Sequence, residues 1–238
     1  MRGSIILKHF FTVQLVCLTV SMGWVSCKKT TTTSEPESIP FKIENLGVRF
    51  GTWNRQTNEA GDFYFTRAYP RIFNEFGTRA LDPEGNIKEL PTMDFVIRRD
   101  AFVVSISEGE VVRIYQQEDS DDWEFSVRSL NDPSYDIVYD HMVNLRIALG
   151  DRVQPGDTLG NPQPRNADVG FVEIMINNLE TGLSYCPMSF LDDDNFDEYA
   201  QKISQLIDDW EEFMADTTIY DQENHVIPGC RIESMVSY

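Results

Sequence analysis

Histidine and carboxylate side chains are the groups in this sequence that can bind a metal ion or transfer a proton. The 238-residue chain contains three histidines, His9, His141 and His225, beside 39 acidic residues. Catalytic zinc is held by about three N, S or O donors plus a water, and imidazole is the commonest metal ligand. Because His9 lies in a segment that we expect to be removed, two imidazoles remain, which is too few for a site that needs several.

Six short motifs surround the two candidate site residues Asp94 and His141, and they occur in a fixed order between residues 72 and 191. They are Phe76-Gly77-Thr78-Arg79, Leu90-Pro91-Thr92-Met93-Asp94, Glu108-Gly109-Glu110-Val111, Tyr139-Asp140-His141-Met142 with the glycine-rich run 150–160, Val169-Gly170-Phe171-Val172-Glu173-Ile174, and Tyr185-Cys186-Pro187. In this order and spacing they resemble the domain of the lysostaphin-type (LytM-like) zinc peptidoglycan endopeptidases.

The resemblance implies which positions would hold zinc. In that family the ligands are the histidine and aspartate of His-x-x-x-Asp and the second histidine of His-x-His; two further histidines serve the water and the transition state. The ligand positions here are Leu90, Asp94 and Phe171, and the two others are Val169 and His141. A lone carboxylate does not hold zinc, and without the ion no bound water has a lowered pKa. We therefore expect no catalytic residue, no metal and no cofactor.

The two surviving polar residues each leave two interpretations open. Asp94 either faces a ligand as a residual polar site or caps nearby backbone N–H groups as a structural carboxylate. His141 is either functional or bonded to a neighbouring side chain. The structural role is the favoured one in both cases. The apolar residues Leu90, Val169 and Phe171 predict that the former metal pocket is packed or apolar.

The segments that position these residues are mostly β. Runs rich in Val, Ile and aromatic residues, separated by Gly, Pro, Asn and Asp, predict strands over 50–53, 63–65, 101–106, 110–116, 123–130, 135–139 and 171–176. Residues 118–122 form an acidic hairpin tip, and Glu173 is expected to be structural or solvated. Short strands at this spacing predict an antiparallel β sandwich or barrel, which the resemblance specifies as the LytM-like (duplicated hybrid motif) type.

One helix completes the predicted fold. Apolar residues recur every three or four positions from Phe196 to Met214, which indicates an amphipathic helix. The acidic run Asp192–Asp194 precedes it and can cap its first turn. The alternative, a calcium loop, lacks the alternating ligands and central glycine of such loops. The fold class is therefore mainly β with a C-terminal α-helix.

The first forty residues resemble an export and anchoring segment. Arg2 and Lys8 precede the apolar stretch 10–25, which is too short and interrupted for a membrane span. Val25-Ser26-Cys27 resembles a bacterial lipoprotein cleavage site, so we expect residues 1–26 to be removed and Cys27 to carry a lipid. An ordinary signal peptide is the alternative. Residues 27–40 form a low-complexity tether, and the protein would lie in the bacterial cell envelope, facing the periplasm or the outside.

The charge of the chain limits its possible partners, and its cysteine content predicts a disulfide. Without residues 1–26 the chain has 18 basic against 39 acidic residues, which excludes nucleic acid as a partner because phosphate binding needs clusters of Lys and Arg. Cys17 leaves with the signal and Cys27 takes the lipid, so Cys186 and Cys230 remain. In an oxidising compartment this pair predicts a disulfide, with two buried free thiols as the alternative.

These observations give a domain organisation and three functional hypotheses. The expected segments are the signal (1–26), the tether (27–40), an N-terminal β extension (41–71), the LytM-like domain (72–191) and a C-terminal helix and tail (192–238). The favoured function is a non-catalytic envelope lipoprotein that binds peptidoglycan fragments or regulates a cell-wall enzyme. The alternatives are an active metallo-endopeptidase with an altered metal site, and a biotinyl or lipoyl carrier, which would need a lysine at a hairpin tip that is acidic here.

Overall fold

The computed structural model describes residues 40–81, 85–118 and 120–236, so the predicted signal, Cys27 and almost all of the tether lie outside the described residues. The strands are β1 Glu59–Ala60, β2 Phe63–Tyr64, β3 Phe73–Asn74, β4 Arg79–Leu81, β5 Ile87–Glu89, β6 Met93–Arg98, β7 Val103–Val104, β8 Gly109–Gln116, β9 Trp123–Ser129, β10 Tyr135–Val143, β11 Arg152–Val153, β12 Thr158–Pro164, β13 Val169–Asn178, β14 Leu183–Tyr185 and β15 Ser234–Val236. Helix α1 spans Asp193–Met214, and short 3₁₀ turns span Pro187–Phe190 and Gln222–Asn224.

One eleven-stranded antiparallel sheet organises the described chain. Its longest strand, β13, pairs with β6 on one side and with β10 on the other. Beyond β10 the sheet extends through β9, which pairs with β10, to β8, which pairs with β9. Strands β1 and β2, and β4 and β5, form two separate hairpins. The prediction of a mainly antiparallel β protein with a C-terminal helix is confirmed.

Side-chain alternation explains why the central strands form. From Val172 to Asn178 every second residue of β13 is buried, and the residues between them are partly exposed. One face of this part of the sheet therefore packs into the core while the other stays open, as the period of two in a strand requires. On the core side Phe125 stacks on Tyr139, with ring centroids 5.0 Å apart, and the Tyr139 hydroxyl accepts a hydrogen bond from the Ile106 amide.

The N-terminal segment 41–71, the sheet and the helix share one hydrophobic core. The predicted strand over residues 50–53 is wrong: this stretch pairs with no strand, and its partly buried aromatic rings pack against the core instead. Trp53 stacks on Phe65 at 5.3 Å, and Phe65 meets Trp210 of α1 edge-on at 5.2 Å. No helix in the described residues is long and apolar enough to cross a bilayer.

The C-terminal tail is fastened to the sheet at three points. Strand β15 pairs with β14, and the Tyr220 hydroxyl accepts hydrogen bonds from the backbone amides of Ile72 and Phe73. The predicted disulfide between Cys186 and Cys230 is present, and both cysteines are fully buried. The tail is thus part of the folded unit, and it reaches back to the segment around β3.

Helix α1 begins at a side-chain cap. Asp192 has an extended backbone, and its Oδ1 accepts from the Asn195 amide at 2.9 Å. One amide of the first turn, which has no partner within the helix, is thereby satisfied. The acidic run was predicted as this cap.

Loss of the cap should be measurable. We expect Asp192→Ala to cost about 1 kcal/mol of stability, or about 2–4 °C in melting temperature for a chain of this size. Asp197→Ala, which removes an exposed acid from the helix body, is the matched control. Equal melting temperatures for the two variants, by circular dichroism, would show that the cap contributes nothing.

Candidate functional site

A row of polar side chains crosses four neighbouring strands on the open face of the sheet. The register pairs Asn74 of β3 with Asp94 of β6, Asp94 with Glu173 of β13, and Glu173 with Asp140 of β10. Directly paired residues point to the same face, with Cβ atoms about 4.5–5.5 Å apart. Three carboxyl groups therefore stand side by side; we call Asn74, Asp94, Glu173 and Asp140 the polar row.

Asp94 is held by side chains rather than by backbone amides. The Thr92 hydroxyl donates to its Oδ1, and the Asn74 amide donates to its Oδ2 at 3.2 Å. Burial raises the pKa of Asp94 to about 6, although both hydrogen bonds and the charge of His141 act to lower it. The favoured interpretation, a structural carboxylate that caps backbone N–H groups, stays a prediction; the donors to Asp94 here are a hydroxyl and an amide side chain.

The pKa of Glu173 is raised further than that of Asp94. Burial raises its pKa to about 9, and the charges of Asp94 and Asp140 add to the rise because like charges disfavour ionisation. At neutral pH this carboxyl is therefore protonated beside its neighbours. A residue expected to be structural or solvated thus stands in the middle of the row.

His141 occupies a strained turn in β10. Its φ is +60°, in the left-handed region that non-glycine residues seldom adopt, and the register with β9 shifts between Tyr139 and Met142. Such a bulge redirects a side chain. The ring lies with Nδ1 2.6 Å from Asp122 Oδ2, Nε2 3.6 Å from Glu173 Oε1, and its centroid 5.3 Å from that of Phe171.

Asp122 comes from the predicted acidic hairpin tip, but its side chain is fully buried. The Ser120 hydroxyl donates to its Oδ1, and its Oδ2 forms the hydrogen bond with His141 Nδ1. The pair orients the imidazole and leaves Nε2 facing Glu173. Among the described residues, the hydrogen-bond and ion-pair partners of this ring are carboxyl groups, and none of them is a hydroxyl or thiol that it could activate as a nucleophile.

One group in the described chain has donor atoms close enough to share a cation. Ligand atoms of Asp122, Asp140 and His141 lie within 4.8 Å of one another. Several of these oxygens already have partners: Asp140 Oδ1 accepts from the Gln117 side chain and from the His141 amide. The group shares no member with the three zinc positions that the resemblance implies.

The residues at those three zinc positions do not fit the ion. Leu90 and Phe171 offer no donor atom, which leaves Asp94 alone, and structural or catalytic zinc needs three or four donors. The guanidinium of Arg165 instead lies over the ring of Phe171, with Cζ 4.8 Å from the ring centroid. Val169 is fully buried. The structure brings Asp94, His141 and Phe171 to one face of the sheet, where Asp94 is buried, while Leu90 lines an adjoining cleft together with Asn74.

The raised pKa of Glu173 predicts that the protein loses stability as the pH rises. The folded protein binds a proton that the unfolded chain releases above about pH 4.5, so stability falls as the pH rises from there towards about 9. Glu173→Gln removes this cost. We expect the variant to exceed wild type at pH 8 by about 1 kcal/mol, or about 2–4 °C in melting temperature, and to match it near pH 4.5. Glu180→Gln, at an exposed turn, is the control; a constant offset across pH would contradict the prediction.

No protein-family model and no curated protein matches the chain. Similar solved structures exist at low identity. The catalytic domain of the antimicrobial peptidase lysostaphin from Staphylococcus simulans is 17% identical over 53% of this chain and 91% of that one, with a TM-score of 0.40. A zinc-containing peptidase from Vibrio cholerae is 16% identical over 56% and 38%, at 0.39, and Helicobacter pylori Csd3 is 13% identical over 77% and 45%, at 0.42.

The match to an NMR structure of lysostaphin covers 49% of that chain, about half its length, at 14% identity and a TM-score of 0.36. The sequence motifs resembled this same type of protein. The structural neighbours of the chain are lysostaphin-type peptidase domains, at low sequence identity.

Proposed function

We propose that this protein is a non-catalytic, lipid-anchored protein of the bacterial cell envelope, which binds a peptidoglycan fragment or a cell-wall enzyme through the open face of its sheet. The observation that carries the proposal is the composition of the former zinc positions, where Asp94 is the single donor beside Leu90 and Phe171. The motif ending at Cys27 supports the lipid anchor. The excess of acidic residues argues against nucleic acid.

The contacts of the polar row support binding rather than hydrolysis. Hydrolysis needs a nucleophile, a base with a pKa near the working pH, and stabilisation of the developing charge. His141 is oriented by Asp122, but its Nε2 lies 3.6 Å from the carboxyl Oε1 of Glu173, which is not a nucleophile for it to activate. A protonated carboxyl and a partly exposed aromatic ring at Phe171 are suited to hydrogen bonding and packing against a ligand.

Purified peptidoglycan tests the proposal directly. We expect the protein to cosediment with it, or with a wall enzyme from envelope extract, while the turbidity of a peptidoglycan suspension stays constant. Phe171→Ala should weaken the binding, whereas Phe102→Ala, at an exposed phenylalanine away from the row, should not. Failure to bind wall or partner, or equal binding by both variants, would overturn the proposal.

A second function is favoured by the proximity of Asp122, Asp140 and His141, whose donor atoms can share one cation. In this alternative the protein is a metallo-endopeptidase that acts on peptidoglycan with an altered metal set. It requires a fall in turbidity that chelation abolishes and that Asp122→Ala prevents. The same turbidity assay therefore separates the two functions.

A further inference from the structure

A cleft of about 550 Å³ lies beside the polar row, between the segment 71–79 and the tail. Three of its lining residues are arginines, Arg71, Arg79 and Arg231, and Leu90 and Ile232 give it an apolar wall. The carboxylate of Glu89 also lines the cleft and Glu75 lies close by, so the three guanidinium groups exceed the acidic groups around them by one charge, in a chain with 20 basic and 39 acidic residues. This volume is typical of sites for small ligands.

A buried carboxylate beneath the cleft holds two of the arginines in place. Glu75 is fully buried; Arg71 Nη1 donates to its Oε2 at 2.7 Å, and Arg231 Nη1 lies 3.7 Å from its Oε1. Burial acts to raise the pKa of Glu75, but the hydrogen bonds from His225 and Thr78 and the charge of Arg71 hold it below its usual value. Glu75 is therefore ionised and anchors both guanidinium groups.

The tail completes the cleft by close contact with the other wall. The Arg231 amide donates to the Phe76 carbonyl at 2.9 Å, and the Phe76 amide donates to the Gly229 carbonyl. Gly77 has a φ of +81°, and a Cβ there would lie 2.6 Å from Ile232 Cγ1. Glycine at position 77 lets the two walls meet, and the disulfide at Cys230 fixes the tail next to Arg231.

Two of the three guanidinium groups keep donors for a ligand. Arg79 uses Nε on Glu89 at 3.1 Å, and its side chain is 72% exposed. Within the described residues Arg79 Nη1 and Nη2, and Arg231 Nε and Nη2, have no hydrogen-bond partner. Arg71 is more fully used, because its Nη2 donates to the Ile219 carbonyl. Paired N–H donors of a guanidinium match the two oxygens of a carboxylate.

We infer that this cleft binds the free carboxylate of a short peptide, with Arg79 and Arg231 on the oxygens and an adjacent small apolar side chain against Leu90 and Ile232. The apolar wall beside the charged groups favours an organic carboxylate over inorganic phosphate, which would leave that wall uncovered. Neither arginine belongs to the polar row or to the zinc positions, but the cleft adjoins both, because Asn74 of the polar row and Leu90 also line it.

Isothermal titration of the purified protein with N-acetyl-Ala-Ala-Ala tests the inference. The tripeptide with a free carboxylate should bind, and its C-terminal amide should bind at least about tenfold more weakly, since it lacks the charge that strengthens each hydrogen bond. Arg231→Gln and Arg79→Gln should each weaken binding of the free acid by about tenfold. Arg152→Gln, an equal charge change at an exposed strand elsewhere, should leave it unaltered.

Arg79→Gln protects the test against a folding artefact, because Arg79 lies on an exposed hairpin and does not contact Glu75. The inference is overturned if the acid and the amide bind equally, if Arg79→Gln binds like wild type, or if the tripeptide shows no binding up to about 1 mM. Displacement of the tripeptide by an equal concentration of inorganic phosphate would also overturn it, since the apolar wall would then contribute nothing.

Discussion

The double substitution Leu90→His with Phe171→His is expected to create a site that binds a single zinc ion with a dissociation constant of roughly 1 μM, equivalent to about −8 kcal/mol. The two imidazoles would join Asp94 and complete three protein donors plus water. The geometry supports this: Phe171 is two residues before Glu173, the strand partner of Asp94, and diagonal neighbours lie about 7–8 Å apart, within reach of long side chains. Leu90 shares its cleft with Asn74, which bonds Asp94.

The gain has a thermal readout and a matched control. Zinc at a hundred times its dissociation constant stabilises the protein that binds it by about 2.7 kcal/mol, so the melting temperature of the double variant should rise with zinc while that of wild type does not. Adding Asp94→Ala to the double variant should remove the rise. A folded double variant whose melting temperature does not change with zinc would show that these positions do not correspond to the ligand positions of the lysostaphin type.

Removing the disulfide by Cys186→Ala with Cys230→Ala is expected to cost about 4 kcal/mol of stability, since the bridge closes a loop with a sequence separation of 44 and thereby restricts the unfolded chain. Alanine is preferred to serine because both sulfurs are buried and a hydroxyl there would lack a partner. The measurement is the denaturant midpoint, read with and without reductant.

Reductant should lower the midpoint of wild type to that of the variant and leave the variant unaltered. The variant should also lose affinity in the arginine cleft, because Arg231 follows Cys230 directly. A variant with the wild-type midpoint under oxidising conditions would contradict the role given to the bridge.

The fold was largely predictable where one physical signal dominated. Runs rich in Val, Ile and aromatic residues over β8, β9 and β13 and the three- and four-residue apolar repeat in α1 are strong signals, so these elements were located from the sequence. The strand predicted over residues 50–53 was wrong because its aromatic rings, partly buried, pack against the N-terminal segment and α1. Strand propensity does not encode such contacts. Strand β10 runs on to Val143 because the bulge at His141 lets pairing resume with β12.

The site was predictable only in part. Asp94, His141 and Phe171 were found through motifs, and the spacing of two between Phe171 and Glu173 could have placed Glu173 on the same face. The role of Asp122 could not be predicted, because its burial depends on how a polar hairpin packs against the rest of the fold. The arginine cleft was equally hard to predict, because Glu75 and Arg231 are 156 residues apart in the sequence and are brought together only by the folding of the tail.

Metal content is the most direct test of the central claim that the zinc positions no longer hold an ion. Elemental mass spectrometry should be performed on protein purified without chelator or added metal, and again after equilibration with zinc and gel filtration. Far less than one zinc per chain is expected in both samples. One zinc per chain that persists through gel filtration and is lost in Asp94→Ala would contradict it.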